Sequence, residues 1–248
     1  MKYFTKEWYN DTILAEMCFQ IKHTSNAEKL SEKYFNSLYK AQKKWFIKNQ
    51  KRIAKFTRSP FDPVAAEAAY EASFNENLEF VKNNLPSEIL DKVADLRVLA
   101  MGSASYDVTQ AITRFCGKIN RRCEAVKEEY DGEVEKLAES LGWYKINLLN
   151  MLSNAPIIRA ETIDGGAFVL ETSAEYTEIS CRVTLSDAKV TELGEALVGA
   201  TVLHFDILPA GDGRLELNLL CQSAEGKSTL FSAQMADIEI EETTGSAV

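Results

Sequence analysis

The chain has 248 residues, 46% hydrophobic, 26% charged and 10% aromatic, an ordinary globular composition that excludes a disordered, collagenous or coiled-coil protein. That length predicts one or two domains. The net charge of −9, from 28 basic and 37 acidic residues, counts against polyanion binding by the molecule as a whole.

Apolar residues recur at helical spacing up to about residue 154. Thr5 can cap a first helix running to about Ile21. Ser25 or Asn26 opens a long helix to about Phe56, ahead of the Ser59-Pro60 break. Asp62-Pro63 is a start signal, an N-cap acceptor followed by proline where its missing N–H costs nothing, and predicts a helix to about Asn84. Ser87–Met101 reads as one helix with Ile89, Leu90, Val93, Leu96 and Ala100 on one face and Gly102 as its left-handed terminator. A long helix follows over Ser105–Leu141, whole or broken near Gly132, and a short one over Trp143–Leu152.

Beyond Ser153-Asn154-Ala155-Pro156 the pattern changes to short alternating runs separated by Asp164-Gly165-Gly166 and Gly211-Asp212-Gly213, which are hairpin punctuation. Strands are predicted over Ile157–Ile163, Phe168–Thr172, Glu178–Thr184, Thr201–Ile207, Leu215–Cys221, Ser228–Gln234 and Asp237–Glu241. Leu215, Leu217 and Leu219 alternate with Glu216 and Asn218, which predicts one buried and one wet face. Strands do not alternate with helices, so a parallel dinucleotide-binding sheet is not expected. The fold expected is α+β: an N-terminal helical bundle over residues 1–154, then a small antiparallel β-sheet or open-barrel domain over residues 155–248. Charge divides at the same place. The first part carries 23 basic and 21 acidic side chains, or +2; the second carries 5 and 16, or −11.

Met1-Lys2-Tyr3-Phe4-Thr5-Lys6-Glu7-Trp8-Tyr9 resembles the opening of a family of uncharacterised bacterial proteins, mainly Gram-positive, whose function is unknown. Asp187-Ala188-Lys189-Val190, Leu197-Val198-Gly199-Ala200, Val202-Leu203-His204-Phe205-Asp206-Ile207, Gly213-Arg214-Leu215-Glu216-Leu217 and Ala236-Asp237-Ile238 are similar to that family's C-terminal part. Thr201, Val202 and His204 stand where the family pattern has more aromatics. The resemblance covers the two ends of the chain and brings no catalytic residue with it.

The residues themselves limit the chemistry. Charges interrupt the N-terminus where a signal peptide needs an apolar core, so a cytoplasmic location is expected. The five cysteines, Cys18, Cys116, Cys123, Cys181 and Cys221, are dispersed without a CxxC pair and read as reduced, buried thiols. Two histidines, His23 and His204, supply no zinc-type spacing, and neither a metal nor any other cofactor is implied. His204 and Asp206 share one face of an alternating strand. A carboxylate there could orient an imidazole as a general base, but no serine or cysteine nucleophile accompanies them, and a solvent-facing polar pair is the plainer reading. Glu67, Glu71, Glu76 and Glu79 could form a carboxylate pair for acid–base work. With Ala65, Ala68, Ala69 and Ala72 between them, they read instead as the acidic outer face of a close-packed helix.

One stretch stands apart. Between Glu32 and Asp62 lie nine basic residues (Lys33, Lys40, Lys43, Lys44, Lys48, Lys51, Arg52, Lys55 and Arg58) and no acidic one. On a helix, Lys40, Lys44, Lys48, Lys51 and Lys55 form one stripe, with Leu38, Trp45, Ile53 and Phe56 expected on the core-facing side. Three readings compete: a plain solvated face; docking onto acidic surface, whether a protein partner or the chain's own acidic domain; and an anionic membrane or nucleic acid, against which the overall charge weighs. The function expected is therefore a non-enzymatic binding or interaction protein. The alternative is an enzyme with a carboxylate-based site in the cleft between the domains.

Overall fold

A computed structural model describes residues 1–173, 180–194 and 197–243. The fold is α+β, with helices followed by two antiparallel four-stranded sheets, neither closed into a barrel. The helices are α1 Lys6–Gln20, α2 Glu32–Thr57, α3 Pro63–Asn84, α4 Ser87–Leu90, α5 Leu96–Ala100, α6 Tyr106–Leu141 and α7 Trp143–Asn150. The strands are β1 Lys22–His23, β2 Ser103–Ala104, β3 Ile157–Ile163, β4 Ala167–Thr172, β5 Ser180–Ser186, β6 Lys189–Leu193, β7 Thr201–Gly211, β8 Arg214–Gln222, β9 Ser228–Met235 and β10 Asp237–Thr243. The backbone clusters into two compact units, Thr12–Arg121 and Met1–Asp11 with the chain from Arg122 onward; the boundaries fall inside α1 and α6.

Local chemistry accounts for most boundaries in the helical unit. Asp62 caps α3, accepting from the Val64 and Ala65 N–H groups at 2.8 and 3.2 Å. The expected helix start at Ser25 is a three-residue 3₁₀ turn, Ser25–Ala27, because the hydroxyl of Ser31 captures the Tyr34 N–H at 3.3 Å and starts α2 there instead. The expected helix over Ser87–Met101 is two short ones. Asp95 folds its carboxylate onto the Arg97 N–H at 3.0 Å, and such a side-chain cap competes with helix continuation. Gly102 ends this segment with φ +74°, and a Cβ there would lie 2.9 Å from the Gln20 carbonyl oxygen. That close approach admits β1 beside β2, a two-residue parallel pairing that the sequence does not announce. α6 runs unbroken through Gly132.

In the other unit the sheets run β10-β5-β4-β3 and β6-β9-β8-β7. Strands fall where expected, with β6 in addition; the expected beginning of β5 at Glu178 lies outside the described residues. The two sheets share one core. Phe168 of β4 stacks on Phe231 of β9 with centroids 5.1 Å apart, and Val183, Leu185, Leu217, Leu219 and Ile207 join them with Leu137, Ile146 and Leu149 of α6 and α7. The face of β8 expected to be wet is not. Asn218 and Leu220 are buried on it, and Asn218 donates to Asp206, which accepts from the Tyr3 N–H; Tyr3, Phe4 and Tyr130, with Trp8, Val126 and Leu208 packed against them, form a second cluster within the same unit.

Candidate functional site

α2 is amphipathic, yet none of its 26 residues is buried. Its inner side packs on α3 through rings: Phe35 lies 6.2 Å from Phe74, Tyr39 lies 5.1 Å from Tyr70 and 5.3 Å from Phe74, and Phe46 lies 5.6 Å from Tyr70. Lys43 reaches from the same side to Glu67 at 2.9 Å and Glu71 at 3.1 Å; hydrogen bonds to those two carboxylates raise its pKa. At the N-terminal end the guanidinium of Arg97 lies 4.1 Å over the Phe35 ring and pairs with Glu32 and Asp95 at 2.6 and 2.8 Å. The hydrogen bonds from Arg97 hold the Asp95 carboxyl below its usual range.

The stripe itself, Lys40, Lys44, Lys48, Lys51 and Lys55, is exposed along its whole length. Within the helical unit none of the five is in an ion pair among the described residues. Of the side expected to face the core, Leu38 is half-buried, but Trp45 is 66% exposed, Ile53 45% and Phe56 89%. The ring contacts to α3 run only from Phe35 to Phe46, and in the C-terminal half of α2 Trp45, Ile53 and Phe56 reach into solvent. A cleft of about 510 Å³ opens beside the stripe, lined by Ala41, Gln42, Trp45, Phe46, Tyr70 and Ser73. The surface thus combines a row of uncommitted cations with an aromatic recess.

His204 and Asp206 occupy a different setting from the wet pair expected. Asp206 is buried, and three N–H donors converge on it: the Lys2 and Tyr3 backbone at 2.9 and 3.0 Å, and the Asn218 amide at 2.7 Å. Asn218 in turn accepts from the Ser232 hydroxyl at 2.6 Å and donates to Glu216 at 3.0 Å. His204 sits among rings, 4.9 Å from Trp8 and 5.7 Å from both Phe4 and Tyr9, and burial lowers its pKa. The Tyr130 hydroxyl accepts from the Ile207 N–H at 3.2 Å, its own pKa raised by burial. The polar residues of this strand therefore fasten residues 1–9 to the sheet. Met1–Tyr9 and Val202–Ile207 touch each other here.

The acidic row on α3 forms no buried carboxylate pair. Glu67 and Glu71 are taken by Lys43, Glu79 pairs with Lys82 at 3.6 Å, and Glu76 is exposed. Ala65, Ala68, Ala69 and Ala72 are exposed rather than close-packed; Ala66, Tyr70 and Val81 form the buried side. Among the described residues, no group of three or more His, Cys, Asp or Glu side chains is placed to hold a metal ion. No described helix is long and apolar enough to cross a membrane. No family model, curated protein or solved structure matches this chain.

Proposed function

We propose that the chain is a cytoplasmic, non-enzymatic interaction protein, a member of the bacterial family that its two ends resemble, and that α2 docks on an acidic protein surface. The observation that carries this reading is a 26-residue helix without a buried residue, presenting five lysines and, beside them, exposed Trp45 and Phe56. A solvated helix has no use for an indole and a phenyl ring held in water; burying each would contribute about 1.5–3 kcal/mol. An acidic partner would neutralise the lysines at about 0–1 kcal/mol per exposed pair, so the rings supply affinity while the charges supply orientation and rate. The recess between Trp45, Phe46 and Tyr70 favours a protein, which can project a side chain into it, over a membrane surface.

The test is retention from nuclease-treated extract of the native cell on immobilised chain, beside titrations with random-sequence DNA and RNA and with anionic phospholipid vesicles. The expected result is an acidic protein that elutes as salt rises, with weak binding of nucleic acid and vesicles. Tight binding of nucleic acid or vesicles, with no protein retained, refutes the reading.

A further inference from the structure

Two of the five cysteines meet inside the helical unit. Cys18, near the end of α1, is partly exposed; Cys116, on α6, is buried. The Cys18 thiol donates to the Ala15 carbonyl oxygen at 3.3 Å, one turn back, where helical side chains tilt. The Cys116 thiol donates to the Leu14 carbonyl oxygen at 3.3 Å, across a sequence separation of 102. Leu14 and Ala15 present consecutive carbonyls, about 3–4 Å apart by α-helix geometry, so both sulfurs hang over one patch of α1. Burial raises the Cys116 pKa, and Cys18 acts on the same thiol as its neighbour.

We propose that Cys18 and Cys116 form an oxidation site, closed by a peroxide into a disulfide that staples α1 to α6. Cys18 reacts first because it is the one of the two that solvent reaches. Its sulfur attacks hydrogen peroxide, the O–O bond breaks, and a sulfenic acid and one water result. The Cys116 sulfur then attacks the Cys18 sulfur: the S–S bond forms, the S–O bond breaks, and the hydroxyl leaves as a second water. The two thiols lose two electrons and two protons in all, and one peroxide is reduced to two waters. Cys116 suits the second role, since burial holds its thiol inert to outside reagents while Cys18 is within its reach. In a reducing cytosol the pair rests as two thiols and links only under oxidant load.

The experiment exposes the folded chain to hydrogen peroxide, blocks remaining thiols with iodoacetamide, and maps an unreduced digest by mass spectrometry. The expected product is a pair of peptides joined through Cys18 and Cys116, lighter than their sum by two hydrogens and separated by dithiothreitol. It persists in Cys123→Ser and vanishes in Cys18→Ser. The latter alters a partly exposed position and keeps the buried Cys116, so loss of the link there does not depend on a collapsed core. Cys18 recovered as a sulfinic acid beside an alkylatable Cys116, a link through any other cysteine, or both thiols unchanged at peroxide doses that oxidise the half-buried Met1 would each overturn the assignment.

Discussion

Asp206→Ala tests whether the strand's polar residues fasten the N-terminal segment. The carboxylate is buried and accepts from Lys2 N–H, Tyr3 N–H and the Asn218 amide at 2.9, 3.0 and 2.7 Å. Hydrogen bonds to a carboxylate are worth about 1.5–3 kcal/mol each. The two backbone donors, on Lys2 and Tyr3, can turn to water when the segment is released. The Asn218 amide cannot, because it is buried beside Ser232 and Glu216. The loss is therefore less than three full bonds, about 3–5 kcal/mol, a large share of the roughly 5–15 kcal/mol that holds an ordinary protein folded. Asp206→Asn keeps volume and one acceptor and should lose about 2 kcal/mol. Urea unfolding followed by tryptophan fluorescence reads both, since Trp8 packs edge-on to His204. The midpoint should fall with the slope unchanged. A change below about 1 kcal/mol for Asp206→Ala would show that residues 1–9 are held by something other than this carboxylate.

Burial lowers the His204 pKa below its ordinary 6.5, so the unfolded chain takes up that proton at higher pH than the folded one. The contribution to stability is complete above about 6.5 and declines as pH falls from there through the lower folded-state value; His204→Gln should flatten the urea midpoint between about pH 7 and 5, and an unchanged pH profile would contradict it. Gly132 lies inside α6 with nothing within 4 Å of where a Cβ would stand, so Gly132→Ala should raise stability by about 0.5–1 kcal/mol, read by the same unfolding curve. Iodoacetamide should label Cys18 in the native chain well before Cys221 or Cys116, whose thiols burial pushes up to about 12 and about 11; equal labelling rates by mass spectrometry would refute that ranking.

What the sequence reveals follows range of interaction. The start of α3 is written in Asp62 and Pro63 because the cap is made within three residues, and the β3–β4 and β7–β8 hairpins are announced by glycines that take positive φ. The apolar stripe of α2 is equally visible, but periodicity says only that a stripe exists. Whether anything covers Trp45 and Phe56 depends on where the rings of α3 fall, and they stop at Phe46. Lys43 looks like any other of the nine basic residues, and only the placement of Glu67 and Glu71 one turn apart opposite it removes it from the helix's free charge. Asp206 and His204 read as a wet pair from local alternation. Their partners are Lys2, Tyr3, Phe4 and Trp8, some two hundred residues away, beyond any pattern along the strand. The aromatic density of Met1–Tyr9 was the available signal that this segment needs a place to be buried.

The central claim is that the uncommitted lysines of α2 recognise an acidic protein. The most direct measurement compares the wild type with the triple variant Lys44→Glu, Lys48→Glu, Lys51→Glu for binding of the retained partner across ionic strength, with a melting curve for each. All three side chains are exposed and outside any ion pair in their unit, so melting should be unchanged within about 0.5 kcal/mol. Each reversal turns an attraction of about 0–1 kcal/mol into a repulsion, which weakens binding by about 10–100-fold or more in total and removes its salt dependence. Partner binding that survives the triple reversal with the wild-type affinity and salt dependence would contradict the account.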